Sequence, residues 1–183
     1  MKFNNYLIKV SDEINSVLNK LNNSEIQRLL DTITNANIIV CAGAGRVGLA
    51  AKGFSMRLGH LGFKSYCVGD STLPHLGKND LLIVCSGSGE TKSIVALTEV
   101  AKQNNMTIFL ISGPSKSTIG LVSDYVLSFN VPTKNSDLED SIQPMTTLNE
   151  QCLQIFFDTI VLLLMDKLCL NKTSLWNNHT NLE

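Results

Sequence analysis

The sequence carries almost no net charge: 15 Lys and Arg stand against 16 Asp and Glu over 183 residues, a formal balance of -1. With neither a basic excess nor a basic tail, bulk electrostatic binding to nucleic acid or to a membrane surface is not expected, so any anionic ligand must be held by local groups. Proline is scarce, at 4 residues, and 17% of the chain is charged against 44% apolar, which excludes Pro-rich fibrous and intrinsically disordered classes. No CxxC pair occurs, and His60, His75 and His179 stand apart from the cysteines, so no metal site is expected. The five cysteines, Cys41, Cys67, Cys85, Cys152 and Cys169, are odd in number and widely spaced, and three lie in apolar strand-like runs. Free thiols in a reducing cytoplasm are the expected state. The N-terminal MKFNNYLIKVSDEINS has no uninterrupted signal-peptide core, and the longest apolar stretch, 160–165, is far short of a membrane span.

What is present is a pattern of short apolar runs alternating with amphipathic segments. Phe3, Leu7, Val10, Ile14, Val17, Leu18 and Leu21 recur at threes and fours and predict a helix over 3–21; Ser24 with Gln27 reads as a capping box opening a second. Continuous apolar runs, too short for helices, predict buried strands at 37–41, 65–68, 81–85, 107–111 and 125–129. Helices are expected at 46–61, 91–103, 117–123 and 148–170. Together these predict an α/β fold: a single doubly wound five-stranded parallel sheet flanked by helices, a flavodoxin-like three-layer αβα arrangement whose ligands sit at the carboxyl ends of the strands. One domain over 1–183 is expected, with N-terminal helices in 1–35, the sheet core in 36–130, an ordered loop over 131–147 and a C-terminal helix and tail in 148–183.

Two glycine-rich turns follow strands. Gly43-Ala44-Gly45-Arg46-Val47-Gly48 matches GxGxxG, and Asp70 closes the second strand where a ribose-binding acid would stand, so the pattern reads as a dinucleotide site. The same residues also suit the tight turn that any doubly wound domain needs, and the short chain has no room for the catalytic half of a dehydrogenase. The second turn, Ser86-Gly87-Ser88-Gly89-Glu90-Thr91, gathers three hydroxyls and two glycines at a helix start, a cradle for a phosphate-like anion. Lys92-Ser93 echoes a Walker A ending, but Thr91 stands where that loop needs glycine.

The serine loop resembles the phosphosugar loop of the sugar isomerase (SIS) family. The first glycine turn with Met56-Arg57-Leu58-Gly59-His60-Leu61-Gly62 resembles the "GxGRSG...MRLxHLG" segment of its 6-phospho-3-hexuloisomerases; Pro144-Met145-Thr146-Thr147-Leu148-Asn149-Glu150 resembles their "PMGTxFE", and residues 176–182 their "xxxHxNL" ending. The chain departs from these patterns at Val47, Thr146 and Asn149, where Ser, Gly and Phe are expected, which bears on substrate preference more than on fold.

The resemblance implies a SIS-type fold and a cofactor-free isomerase that interconverts D-arabino-3-hexulose 6-phosphate and fructose 6-phosphate through an enediol(ate). It implies Glu150 as the acid/base and His179 as a proton shuttle. Ser86, Gly87, Ser88, Gly89, Glu90 and Thr91 would bind phosphate, Gly45 and Arg46 would face the sugar, and Ser71 and Thr72 would help at the rim. His60 and His75 receive no catalytic assignment. A tail histidine reaches a site most easily across a subunit boundary, so a homo-oligomer, a tetramer by resemblance, is expected. A phosphosugar-binding regulator, an isomerase of another sugar phosphate and a dinucleotide-binding module are the alternatives.

Overall fold

The computed structural model describes residues 2–132 and 141–182. Two helices, α1 (Phe3–Leu18) and α2 (Asn23–Asn35), precede β1 (Ile39–Gly43), α3 (Gly45–His60), β2 (Ser65–Cys67), β3 (Leu81–Cys85), α4 (Lys92–Gln103), β4 (Thr107–Ser112), α5 (Thr118–Val122) and β5 (Tyr125–Ser128); α6 (Thr147–Lys167) and α7 (Lys172–Trp176) complete the chain. All strand pairs are parallel, in the order β2-β1-β3-β4-β5.

Alternation along the strands decides which layer each residue supports. Ile39, Cys41, Leu81, Ile83, Cys85, Phe109 and Ile111 face the core shared with α1, α2, α3 and α6. Val40, Ala42, Leu82, Val84, Ile108 and Leu110 face the core with residues from α4 and α5. Burial on both faces explains why the strands read as continuous apolar runs. The larger core is fastened by Phe54 of α3 stacked on Phe157 of α6, their ring centroids 4.2 Å apart.

Several expectations need correction. The second helix is capped at Asn22, ahead of Ser24: the Asn22 side chain accepts from the Ser24 amide at 2.8 Å. Between β2 and β3, where no helix is expected, the segment 68–80 crosses as an irregular loop whose Leu73 and Leu76 pack on the second core. Helix α6 stops at Lys167, where Cys169 turns into a positive φ of 54°, and a short α7 follows that the sequence pattern did not announce. By length and mean hydropathy α6 passes for a membrane span, although no uninterrupted apolar run marked it so. Leu148, Leu153, Phe156, Phe157, Ile160 and Leu164 instead bury one face of it in the main core. Of the loop expected over 131–147, residues 133–140 lie outside the described residues.

Candidate active site

Strand order reverses between β1 and β3: the chain leaves β1 towards β2, then returns to place β3 on the other side. In such sheets the carboxyl ends at the reversal leave a crevice open between diverging connections. Gly43 pairs with Cys85 in register, so the turns that follow the two strands emerge side by side. The N-terminus of α6 closes the crevice, giving a cleft of ≈ 630 Å³.

Gly45, Arg46, Ser86, Gly87, Ser88, Glu90, Thr91 and Glu150 all line this cleft. The starts of α3, α4 and α6 contribute to the same rim, and the partial positive charge at each favours an anion there. Gly45 has φ +57° with open space where a side chain would stand, so the left-handed turn brings backbone to the cleft. In the serine loop, Ser86 Oγ accepts from the Gly89 amide at 3.1 Å and Ser88 Oγ from the Glu90 amide at 3.2 Å, which sets its curvature. Thr91 caps α4 by position but makes no side-chain cap bond, leaving its hydroxyl for the cleft.

On the opposite wall, Glu150 Oε1 accepts from Thr146 Oγ1 at 2.8 Å, and Oε2 lies 2.8 Å from Arg46 Nη1 in an ionic contact that is out of line for a hydrogen bond. Arg46 also donates to Thr147 Oγ1 at 3.3 Å. Met145, at φ +60°, turns the chain into this helix start. Cys85 lies on the cleft floor, where burial pushes its thiol far above the usual range, so it serves as an inert apolar group.

Other sequence-predicted residues are placed differently. The Glu90 carboxylate accepts from the Thr118 amide and hydroxyl, both at 2.7 Å; the hydroxyl bond first, then the amide, holds it below the ordinary glutamate range. Its side chain therefore fastens the loop to α5. Gly89 packs against Ser117 and does not line the cleft. Ser71 and Thr72 are exposed in the turn after the edge strand and do not line the cleft. The His179 ring lies 5.0 Å from that of His60, at the far end of the helix that begins at Gly45, so it sits roughly 20 Å from the cleft of its own chain.

The glycines and the acid of the dinucleotide pattern each have a structural use of their own. A Cβ on Gly48 would come within 2.5 Å of the Gly43 carbonyl oxygen, so these glycines serve the close approach of α3 to β1. Asp70 accepts from the Cys67 amide at 2.7 Å and closes its own turn. Asn149, a departure from the motif with no role legible in the sequence, is buried in the cleft wall.

The SIS domain family matches residues 32–155. Bacillus subtilis (strain 168) 3-hexulose-6-phosphate isomerase is 36% identical over 187 residues, covering 100% of both chains. The 3-hexulose-6-phosphate isomerase of Mycobacterium gastri is 31% identical over 98% of this chain and 90% of its own. Among solved structures, a Methanococcus jannaschii protein whose structure was taken to infer a 3-hexulose-6-phosphate isomerase function superposes with TM-score 0.86 at 32% identity, covering 98% of this chain and 99% of that one.

Proposed function

The chain belongs to the SIS domain family, and from that premise we propose that it is a phosphosugar isomerase interconverting D-arabino-3-hexulose 6-phosphate and fructose 6-phosphate. Relatives of that name align across nearly the whole chain. The observation that carries the reading is the meeting of Glu150, Arg46 and the serine loop in one cleft at the sheet's reversal point.

The chemistry moves a ketone by one carbon. Glu150 takes the proton from C2 of the 3-ketose, the electron pair forms a 2,3-enediol(ate), and the same carboxyl returns a proton to C3 while the hydroxyl proton passes from O2 to O3. Thr146 holds one carboxylate oxygen; Arg46 exchanges the other for a substrate oxygen. Ser86, Ser88, Thr91 and the loop amides bind the phosphate, remote from the reacting carbons, so their binding energy orients the sugar for proton transfer. The phosphate anion requires no basic excess elsewhere, in keeping with the near-neutral chain.

His179 acts as the proton shuttle only if it comes from a neighbouring copy, since its own chain holds it beside His60. The reading therefore includes a homo-oligomer, a tetramer, with shared sites, working in the cytoplasm in the ribulose monophosphate route of formaldehyde fixation. Formation of fructose 6-phosphate in a coupled assay tests the assignment. Glu150→Gln is expected to lower kcat by about 10²–10⁴ while still binding fructose 6-phosphate. Wild-type turnover by this variant removes Glu150 as the base, and a wild type that isomerises only another sugar phosphate reassigns the substrate.

A further inference from the structure

We propose that Asn149 is a specificity-determining residue that binds a hydroxyl of the phosphosugar between its phosphate and the carbons on which Glu150 acts. The inference rests on the isomerase reading and adds the group that selects the carbon chain. Asn149 is only 1% exposed and lies in the cleft wall next to Glu150. Both Nδ2 and Oδ1 are buried without a hydrogen-bond partner among the described residues. Its neighbours Leu148, Cys152 and Leu153 on the same helix are buried in the apolar core, so the amide is a polar group set into an otherwise apolar face. A buried carboxamide with neither half satisfied destabilises the fold, and such groups are rare enough that each calls for an explanation.

The location says what completes it. A Cβ on Gly87 would lie 3.0 Å from Asn149 Nδ2, 3.3 Å from Cγ and 3.6 Å from Oδ1. The amide therefore presses directly on the phosphate loop, in the space that the absent side chain of Gly87 leaves, with the Glu150 carboxylate on the adjacent residue. A ligand anchored by its phosphate in that loop and reaching towards Glu150 must pass the amide. Phosphate oxygens only accept and would satisfy Nδ2 alone. A sugar hydroxyl donates and accepts, so it can pair with Oδ1 or Nδ2. The "PMGTxFE" pattern places an apolar ring at this position; here the wall has become a donor and an acceptor, and a site built around a hydroxyl discriminates strongly against analogues that lack it.

The test compares wild type with Asn149→Leu, similar in size but unable to hydrogen-bond, and with Asn149→Ala, which introduces no clash. Titration calorimetry with fructose 6-phosphate and with inorganic phosphate separates sugar from anchor. Affinity for fructose 6-phosphate is expected to fall about ten- to hundredfold while that for inorganic phosphate stays within about twofold. The Tm of Asn149→Leu is expected to rise, because an orphaned buried amide is replaced by an apolar group; a merely structural asparagine would give a lower Tm and unchanged sugar binding. Unchanged affinity for fructose 6-phosphate in both variants, or an equal loss for inorganic phosphate, overturns the inference. Asn149-dependent binding by a wild type that forms no fructose 6-phosphate supports it and overturns the isomerase reading alone.

Discussion

Arg46 and Glu150 touch at 2.8 Å but are unequal partners: the carboxylate side chain is 12% exposed and the guanidinium 60%. With the guanidinium mostly in solvent and the carboxylate fixed in the wall, the pair's use lies in geometry: a long side chain able to leave a carboxylate that stays in place. Arg46→Lys keeps the charge but loses the planar fork that can grip two oxygens at once, and it is expected to raise KM by about tenfold with a smaller effect on kcat. Steady-state kinetics decide this, and an unaltered KM would take Arg46 off the substrate. Gly89 illustrates a different constraint. Its φ of +66° already disfavours a side chain, and a Cβ there would collide with Ser117, whose Oγ donates to Pro114 O and accepts from the Gly120 amide. Gly89→Ala is expected to lower stability in urea by about 2 kcal/mol or more, the left-handed backbone alone accounting for about 1–2 kcal/mol, and to weaken phosphate binding because the loop must move. Equal stability of variant and wild type would show that the loop yields freely.

Helix α1 does more than cover the core, because Glu13 ties it to the segment that leads into the cleft. The carboxylate accepts from Ser141 Oγ at 2.8 Å, the Ile142 amide at 2.9 Å and Gln143 Nε2 at 3.0 Å. Partial burial pushes this carboxyl up, but the hydrogen bonds from Gln143, Ile142 and Ser141 outweigh burial and hold it below the usual glutamate range. A depressed folded-state pKa contributes stability that is present above the unfolded pKa and lost as pH falls through the folded one. The tie is therefore intact at neutral pH and weakens only below the ordinary glutamate range. Glu13→Gln is expected to reduce stability at pH 7 by about 1–3 kcal/mol and to show a smaller loss on acidification than wild type; parallel losses in urea titrations at the two pH values would sever the link. At this scale the sequence was legible where physics is local. Burial on both faces made the strands continuous apolar runs, and contiguity put the whole serine loop in view. It was not legible where partners are distant: the Glu90 carboxylate turns to Thr118, 28 residues on, Asn22 replaces Ser24 as a cap through one side-chain bond, and only three-dimensional burial exposes the unsatisfied amide of Asn149.

For the whole molecule, the distribution of apolar surface bears on how His179 enters the chemistry. Phe3, Tyr6, Leu7 and Ile8 of α1 and Ile155, Leu162 and Leu163 of α6 remain exposed, although these two helices pack on each other. Exposed apolar side chains on two adjoining helices are what the proposed homo-oligomer would cover, and closed symmetry between identical copies is the common way to do so. The proposed shared site would account for the separation between His179 and the cleft: a tail held at the far end of α3, remote from its own Glu150, would act in the cleft of a neighbour. If each site takes Glu150 from one copy and His179 from another, Glu150→Gln and His179→Ala are each expected to be impaired alone, yet to regain activity when unfolded and refolded together. Random assembly in equal amounts gives both intact groups to about a quarter of the sites, so recovered kcat should approach about one quarter of wild type. No recovery, with light scattering showing mixed oligomers, would mean that the two groups do not share a site across the boundary; a monomer in solution would remove the shared site altogether. The tail would then be a cap on α3, held by Asn178 donating to the His60 carbonyl at 3.0 Å and by the contact between the His179 and His60 rings.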